Sequence, residues 1–303
     1  MRERPIRDLA SGLEQLGCEV GWEGTEGCPP FTLKTGGRKG GVVQVSGATS
    51  SQYLSSLLLS APLSEQKIEL RLKGELVSKP YIDMTLEVMQ AFGVDIQEEE
   101  WGFTVTPSKY RGGSYRVESD AAAANYFFAM AAATQGRVRV TGLSLKSAQA
   151  EIRFLGVLED MGCSVTSGDD WVEVKGAPLS GVDVDMNAFP DSVQTLAAIA
   201  PFASGVTRIR NVANLRVKET DRIEALTQEL QKLGGKVEPS EDGLVIHPAE
   251  LHGGKVHTYA DHRMAMSFAV TALHVEGIEI EDPNCVRKSF PGFFDQLDLL
   301  LGR

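Results

Sequence analysis

Leu158-Glu-Asp-Met161-Gly162-Cys-Ser-Val165 reads as the last turn of a helix, a glycine that stops it in the left-handed region, and the start of a strand. The same pattern stands at Leu13-Glu-Gln-Leu16-Gly17-Cys-Glu-Val20, at Met89-Gln-Ala-Phe92-Gly93-Val-Asp-Ile96 and at Leu230-Gln-Lys-Leu233-Gly234-Gly-Lys-Val237. Its glycines are 76, 69 and 72 residues apart. Chance accounts for one such match but poorly for four at one period, so an internal repeat organises the chain. A second landmark keeps the same period. A Ser or Asp opens an apolar or Ala-rich run at Ser51-Gln-Tyr-Leu, Asp120-Ala-Ala-Ala, Asp191-Ser-Val-Gln and Asp261-His-Arg-Met, at spacings of 69, 71 and 70. Each predicts an N-capped helix.

Alternating runs flank these helices and predict strands. Before the caps stand Val42-Val-Gln-Val, Tyr115-Arg-Val, Val182-Asp-Val and Lys255-Val-His-Thr; after the helices come Ile68-Glu-Leu-Arg-Leu, Val138-Arg-Val, Arg208-Ile-Arg and Ile278-Glu-Ile. The fold class that follows is α/β, built of βαβαββ units of about 70 residues repeated close to four times. In phase, the chain starts at the second helix of a unit and ends on another second helix, Phe293 to Leu301, without closing strands. A piece of a longer protein is therefore expected.

Composition narrows the partners. The 303 residues carry 30 Lys and Arg against 41 Asp and Glu, a net charge of −11, which repels a phosphate backbone and argues against nucleic acid. With 42% hydrophobic and 23% charged residues the chain is globular, and its length suggests about two domains at roughly 150 residues each. Cys18, Cys28, Cys163 and Cys285 form no C-x-x-C pair, so neither a zinc knuckle nor a redox dithiol is expected, and a reducing compartment is the simpler reading. No apolar stretch approaches the ~20 residues of a membrane span. The Met1 to Leu9 segment lacks the apolar region of a leader, and the expected location is cytoplasmic, or plastid in a plant or alga.

Repeated capped helices direct several N-termini, with their free N–H groups, toward one region, which makes an anion site. The bases near those ends are the candidates. In Asn214-Leu-Arg-Val-Lys218-Glu219-Thr-Asp221-Arg222, Lys218 and Arg222 are four apart and are expected to share a helical face; a salt-bridged helix start explains them equally well. Arg263 follows the cap of an almost wholly apolar helix, where a charge more often binds something than decorates a surface. Arg287 and Lys288 precede a helix with Pro291 expected in its first turn, and spacing alone favours a plain basic cap. Ser50, Ser51 and Gln52 offer two hydroxyls and an amide at another helix start. Asp191 reads as a cap, yet a carboxylate fixed beside Lys and Arg stays ionised and could accept a proton from an alcohol. His262 is open between a catalytic group and a hydrogen-bonded helix start. Phosphate-loop, dinucleotide, zinc-protease and nucleophile-elbow motifs are absent.

Ser50-Ser-Gln-Tyr-Leu, Ser78-Lys-Pro-Tyr-Ile-Asp-Met-Thr-Leu, Met186-Asn-Ala-Phe-Pro-Asp191, Asn214 to Arg222, Thr258-Tyr-Ala-Asp-His-Arg-Met-Ala-Met266 and Lys288-Ser-Phe-Pro-Gly-Phe-Phe294 together resemble the 5-enolpyruvylshikimate-3-phosphate synthases. The resemblance runs the full length of the chain. It implies two lobes in an enolpyruvyl transferase-like inside-out α/β barrel: residues 1–118 as a partial shikimate-3-phosphate-binding lobe, and 119–303 as a second lobe carrying the catalytic Asp and the phosphoenolpyruvate-binding bases.

The implied reaction moves the enolpyruvyl group of phosphoenolpyruvate to the 5-hydroxyl of shikimate 3-phosphate and releases phosphate through a tetrahedral intermediate, with no cofactor and no metal. By motif match, Asp191 would take the hydroxyl proton and Glu219 would handle the proton at the methylene carbon. Arg222, Arg263 and Lys288 would hold phosphoenolpyruvate, with Gln52 and His262 nearby. Ser50, Ser51, Gln52, Ser78, Tyr81, Asn214 and Lys218 would hold shikimate 3-phosphate. The family's N-terminal Lys-Ser segment, its Gly-rich loop and an Arg just before Met1 have no counterpart, so the N-terminal repeats are expected to be missing, and a complementary N-terminal chain is a possible partner. A related UDP-N-acetylglucosamine transferase is disfavoured by the Val217 to Arg222 and Asp261 to Met266 segments. A catalytically silent binding module of the same fold is the reading from another class.

Overall fold

A computed structural model describes residues 2, 4–35, 39–47, 50–74, 76 and 78–302. The chain forms two compact units, Met1–Val117 and Glu118–Arg303.

The first unit opens with α1 (Arg7–Gln15) and an antiparallel hairpin of β1 (Glu19–Trp22) and β2 (Phe31–Lys34). Then come β3 (Gly41–Ser46), α2 (Ser51–Ser60), β4 (Ile68–Lys73), α3 (Lys79–Ala91), β5 (Gln97–Glu99) and β6 (Gly102–Val105). The sheet order is β3-β4-β6-β5. β3 and β4 run parallel because α2 carries the chain back between them, whereas the β4–β6 and β5–β6 pairs are antiparallel. Val43, Val45, Ile68, Leu70, Phe103 and Val105 point from this sheet onto Leu54, Leu57 and Leu58 of α2 and Ile82 and Met89 of α3, forming one core.

The second unit contains α4 (Ala121–Thr134), β7 (Arg137–Thr141), α5 (Phe154–Asp160), β8 (Ser164–Ser167), β9 (Trp171–Lys175), β10 (Asp183–Asp185), α6 (Val193–Ile199) and β11 (Thr207–Arg210). It continues with α7 (Arg222–Lys232), β12 (Lys236–Pro239), β13 (Leu244–His247), β14 (Gly254–Val256), α8 (His262–Thr271), β15 (Ile278–Ile280) and α9 (Phe293–Leu300). Sheet β10-β11-β13-β12 has the order and strand senses of β3-β4-β6-β5. β7-β9-β8 is antiparallel throughout, and β14-β15 is a parallel pair. α4, α6 and α8 pack on one another, and every residue of α6 is buried. Helices apolar on nearly all sides must lie inside, and the many alanines of α4 permit close approach.

The four repeated glycines, Gly17, Gly93, Gly162 and Gly234, take φ of 89°, 78°, 106° and 92°. Each is followed by an N–H that reaches back to the carbonyl five residues earlier: Cys18 to Leu13 at 3.1 Å, Val94 to Met89 at 3.0 Å, Cys163 to Leu158 at 2.9 Å, Gly235 to Leu230 at 2.8 Å. These bonds satisfy helix-end carbonyls that would otherwise lack partners. After Gly93 the strand is delayed to Gln97.

Several expectations are corrected. Tyr115-Arg-Val117 forms no strand; alternation there buries nothing, Val117 being 81% exposed. The cap of α2 is Ser50, whose Oγ accepts the Gln52 N–H at 3.3 Å, not Ser51. Asp120 and Asp261 do cap α4 and α8 through side-chain oxygens. Asp191 does not cap α6, because Pro190 starts a 3-10 turn, Pro190–Ser192, that carries Asp191 inside it. Lys218 and Arg222 share no helix: a 3-10 turn, Ala213–Val217, ends at Lys218 with ψ −143°, and α7 restarts from the cap Asp221. Pro291 lies ahead of α9 rather than in its first turn, since Gly292 is the N-cap. Among the described residues, no helix is long and apolar enough to cross a membrane.

Candidate active site

In the second unit, four loop-to-helix junctions supply charged side chains that meet. Arg222 is the first residue of α7 and is 1% exposed. Its Nε donates to Asp261 Oδ2 at 2.7 Å, one Nη to Asp191 Oδ1 at 3.0 Å and the other to Glu219 Oε2 at 2.8 Å. Arg263, in the first turn of α8, donates to the other oxygen of Asp191 at 2.7 Å and to the Tyr126 hydroxyl at 3.2 Å. Lys288, at the end of the 3-10 turn Pro283–Lys288, pairs with Glu219 Oε1. One network therefore joins three cations and three carboxylates.

Local sequence places each member. The turn that holds Asp191 is pinned by the buried Asn125 of α4, whose amide donates to Ser192 Oγ and to the Glu151 carbonyl, both at 2.9 Å. Asp221 caps α7 by accepting the Glu224 N–H at 3.1 Å, and so orients Arg222 next to it. Asp261 caps α8 by accepting the Arg263 N–H at 2.9 Å while it binds Arg222, so one carboxylate fixes both arginines.

Electrostatics follows from this crowding. Burial pushes the Asp191 carboxyl upward, but Arg263, then Arg222 and Lys218, outweigh it and hold the group well below the usual carboxylate range. Burial likewise opposes ionisation of Glu219, and the charges of Arg222 and Lys288 with the Lys288 hydrogen bond bring it down to about 2. His262 is lowered to about 4, by burial first and then by the positive charge of Arg263. Its Nδ1 lies 3.4 Å from Asp261 Oδ1. The imidazole is thus neutral at pH 7. Burial raises the Tyr126 phenol against the pull of Arg263.

The other candidates fall in two places. Asn214 lies in the 3-10 turn before Lys218, and its Oδ1 is buried with no hydrogen-bond partner among the described residues. Ser50, Ser51, Gln52, Ser78 and Tyr81 belong to the first unit, at the starts of α2 and α3. Those helices are tied by a 2.8 Å hydrogen bond between Ser55 and Thr85. Ser51 and Ser78 are buried, Gln52 is exposed, and Ser78 takes φ 55° just before α3.

Two members of the network escaped the sequence reading. Asp261 reads as a helix cap and nothing else, and its tie to Arg222 has no local signal. Tyr126 sits in an Ala-rich helix 137 residues from Arg263; the available hint is that a buried phenol needs a hydrogen-bond partner.

A site of this charge density, with carboxylates held ionised among arginines, suits anionic substrates and proton transfer. The family described as EPSP synthase (3-phosphoshikimate 1-carboxyvinyltransferase) matches residues 1–297. The chain belongs to the EPSP synthase family. Within that family, the 3-phosphoshikimate 1-carboxyvinyltransferase of Mannheimia haemolytica is 45% identical over 307 residues, covering 99% of this chain and 71% of the relative. The one from Yersinia pseudotuberculosis (strain YPIII) is 47% identical over 300 residues, covering 98% and 70%. Among solved structures, EPSP synthase from Acinetobacter baumannii superposes with a TM-score of 0.82 at 26% identity, over 98% of this chain and 71% of that one. The enolpyruvyl transferase NikO from Streptomyces tendae superposes at 0.78 with 17% identity, over 98% and 71%, and shares the α/β fold.

Proposed function

We propose that this EPSP synthase family member transfers the enolpyruvyl group of phosphoenolpyruvate to the 5-hydroxyl of shikimate 3-phosphate and releases phosphate. The observation that carries the reading is Asp191 held between Arg222 and Arg263, with Glu219 held between Arg222 and Lys288. The named activity of the relatives supports the substrates.

In the first step the 5-hydroxyl oxygen bonds to C2 of phosphoenolpyruvate and the hydroxyl proton passes to Asp191, while Glu219, ionised in the free network, takes up a proton as substrate draws Arg222 and Lys288 away from it and delivers that proton to C3, giving a tetrahedral adduct. In the second step the C2–O bond to phosphate breaks, the proton on Asp191 leaves with the phosphate, and Glu219 takes a proton back from C3. The low basicity of Asp191 in the network is no obstacle. A phosphate or carboxylate competing for Arg222 and Arg263 draws their field from Asp191, and the carboxylate becomes a better base as substrate binds. Lys288 and Arg263 offset the repulsion between two anionic substrates and stabilise charge on departing phosphate. In the second unit Lys218 and Asn214 are assigned to shikimate 3-phosphate and His262 to phosphoenolpyruvate; in the first unit Ser50, Ser51, Gln52, Ser78 and Tyr81 are assigned to shikimate 3-phosphate. The same proposal reads the two matching four-stranded sheets as copies of one βαβαββ unit.

The test is phosphate release from phosphoenolpyruvate and shikimate 3-phosphate, measured for the 303-residue chain alone and after adding a separately expressed N-terminal segment of about 120 residues from a relative. Turnover in either arm supports the reading. Silence in both arms, with the chain folded and the segment bound, overturns it in favour of a binding module.

A further inference from the structure

Just before Asp261 the backbone makes an unusual move. Tyr259 and Ala260 take φ of 55° and 53°, two consecutive left-handed residues and neither of them glycine. L-residues disfavour that conformation, so the surroundings must hold it. The turn is closed by the Asp261 N–H donating to the Thr258 carbonyl at 2.8 Å, and Thr258 is itself buried.

What holds it is a carboxylate outside the substrate-facing network. Glu229, on α7, is 1% exposed. One of its oxygens lies 2.8 Å from the Tyr259 hydroxyl, and the other accepts the His257 N–H at 3.0 Å and the ammonium of Lys232. Gln228 Oε1 is also 2.8 Å from the Tyr259 hydroxyl. The single phenolic proton lies between these two acceptors, because the Gln228 NH₂ itself donates to Glu224 Oε1 at 2.8 Å. Burial and the Glu229 hydrogen bond keep the phenol protonated well above its ordinary range. The His257 ring closes edge-on against Tyr259, centroids 4.5 Å apart.

α7 thus grips the approach to α8 twice: Arg222 at its first residue holds Asp261, and Glu229 two turns on holds Tyr259 and His257. We infer that Tyr259 and Glu229 are positioning residues that stabilise the left-handed Tyr259–Ala260 turn and so set Asp261, and through it Arg222 and Arg263, in the geometry that receives an anion. The inference rests on the transferase reading for the anion's identity and not for the role of the turn.

The test compares Tyr259→Phe, Ala260→Gly and the double variant in the whole chain, by amide hydrogen exchange and by affinity for inorganic phosphate. Glycine adopts the left-handed region freely, so Ala260→Gly supplies what the lost hydroxyl supplied. In Tyr259→Phe the Arg263 and Met264 amides, both bonded to Asp261, are expected to exchange on the order of tenfold faster, and phosphate affinity to fall several-fold. Residues at the C-terminal end of α8 keep their protection. The double variant recovers most of both losses. Unchanged exchange in Tyr259→Phe overturns the inference, as does a double variant no better than the single one, since a mere packing role gains nothing from glycine at 260. A wild-type chain that takes up no phosphate counts against the anion site, and the exchange data then decide the turn on their own.

Discussion

Arg222 Nε and Asp261 Oδ2 meet at 2.7 Å with both side chains shut off from solvent, 2% and 0% exposed. Neither charge could be left there alone. Asp261→Asn keeps a residue that caps helices and removes the charge, and is expected to cost about 3 kcal/mol, the low end for breaking a buried pair, because Asp191 and Glu219 still face Arg222. Urea unfolding of the variant measures it; a loss below about 1 kcal/mol would mean the pair contributes no more than an ordinary surface contact.

Acidification should weaken the fold in two stages. A histidine lowered from 6.5 to about 4 stays neutral when folded, so the stability that His262 lends is complete above pH 6.5 and drains away down to about 4. Glu219, lowered from 4.5 to about 2, lends stability that is complete above 4.5 and is lost toward 2. Unfolding free energy followed against pH should fall from about 6.5 downward, and His262→Asn should flatten the upper stage while leaving the lower one.

Asp191→Asn is expected to lower kcat by a factor on the order of 10² to 10⁴ if the carboxylate takes the hydroxyl proton. Affinity for phosphoenolpyruvate should not fall, since Arg263 and Arg222 then lose a competing negative partner. Wild-type turnover in this variant removes Asp191 from the chemistry.

Two glycine substitutions should separate strain from crowding. An alanine at Gly17 finds open space, and its cost is the left-handed backbone alone, about 1 kcal/mol. An alanine at Gly176 would set its Cβ 2.0 Å from the Ala131 carbonyl oxygen, backbone against backbone, and is expected to cost about 3 kcal/mol or prevent folding. Thermal midpoints of the pair rank them; equal losses would contradict the packing between α4 and the turn after β9.

Glycine stops and carboxylate caps were legible because each acts within a few residues of itself. Gly162 needs only its own φ, and Asp120 only the N–H of Ala123 three residues on. Asp191 defeated that reading because its partners, Arg222 and Arg263, lie 31 and 72 residues away and claim the side chain that a cap would use. Tyr115 to Val117 defeated it for the opposite reason. Alternation marks a strand only where one face is covered, and residues 111–118 are all exposed. The evenly spaced helix starts pointed Asp191 and the bases Arg222, Arg263 and Lys288 toward one region, and likeness of motifs assigned their roles and that of Glu219; no spacing told which carboxylate would meet which base.

That exposed stretch has a practical meaning. Residues 106–119 contain neither helix nor strand, include Gly112 and Gly113, and carry exposed residues from 111 to 118 just ahead of the second unit. Segments of this kind are where proteases bind, because the cleft of a protease needs an extended chain it can pull away from its surroundings. Brief digestion with trypsin should nick the chain here before any other point, yielding two pieces that each keep an intact interior, and so offer a route to preparing either one without redesigning the gene.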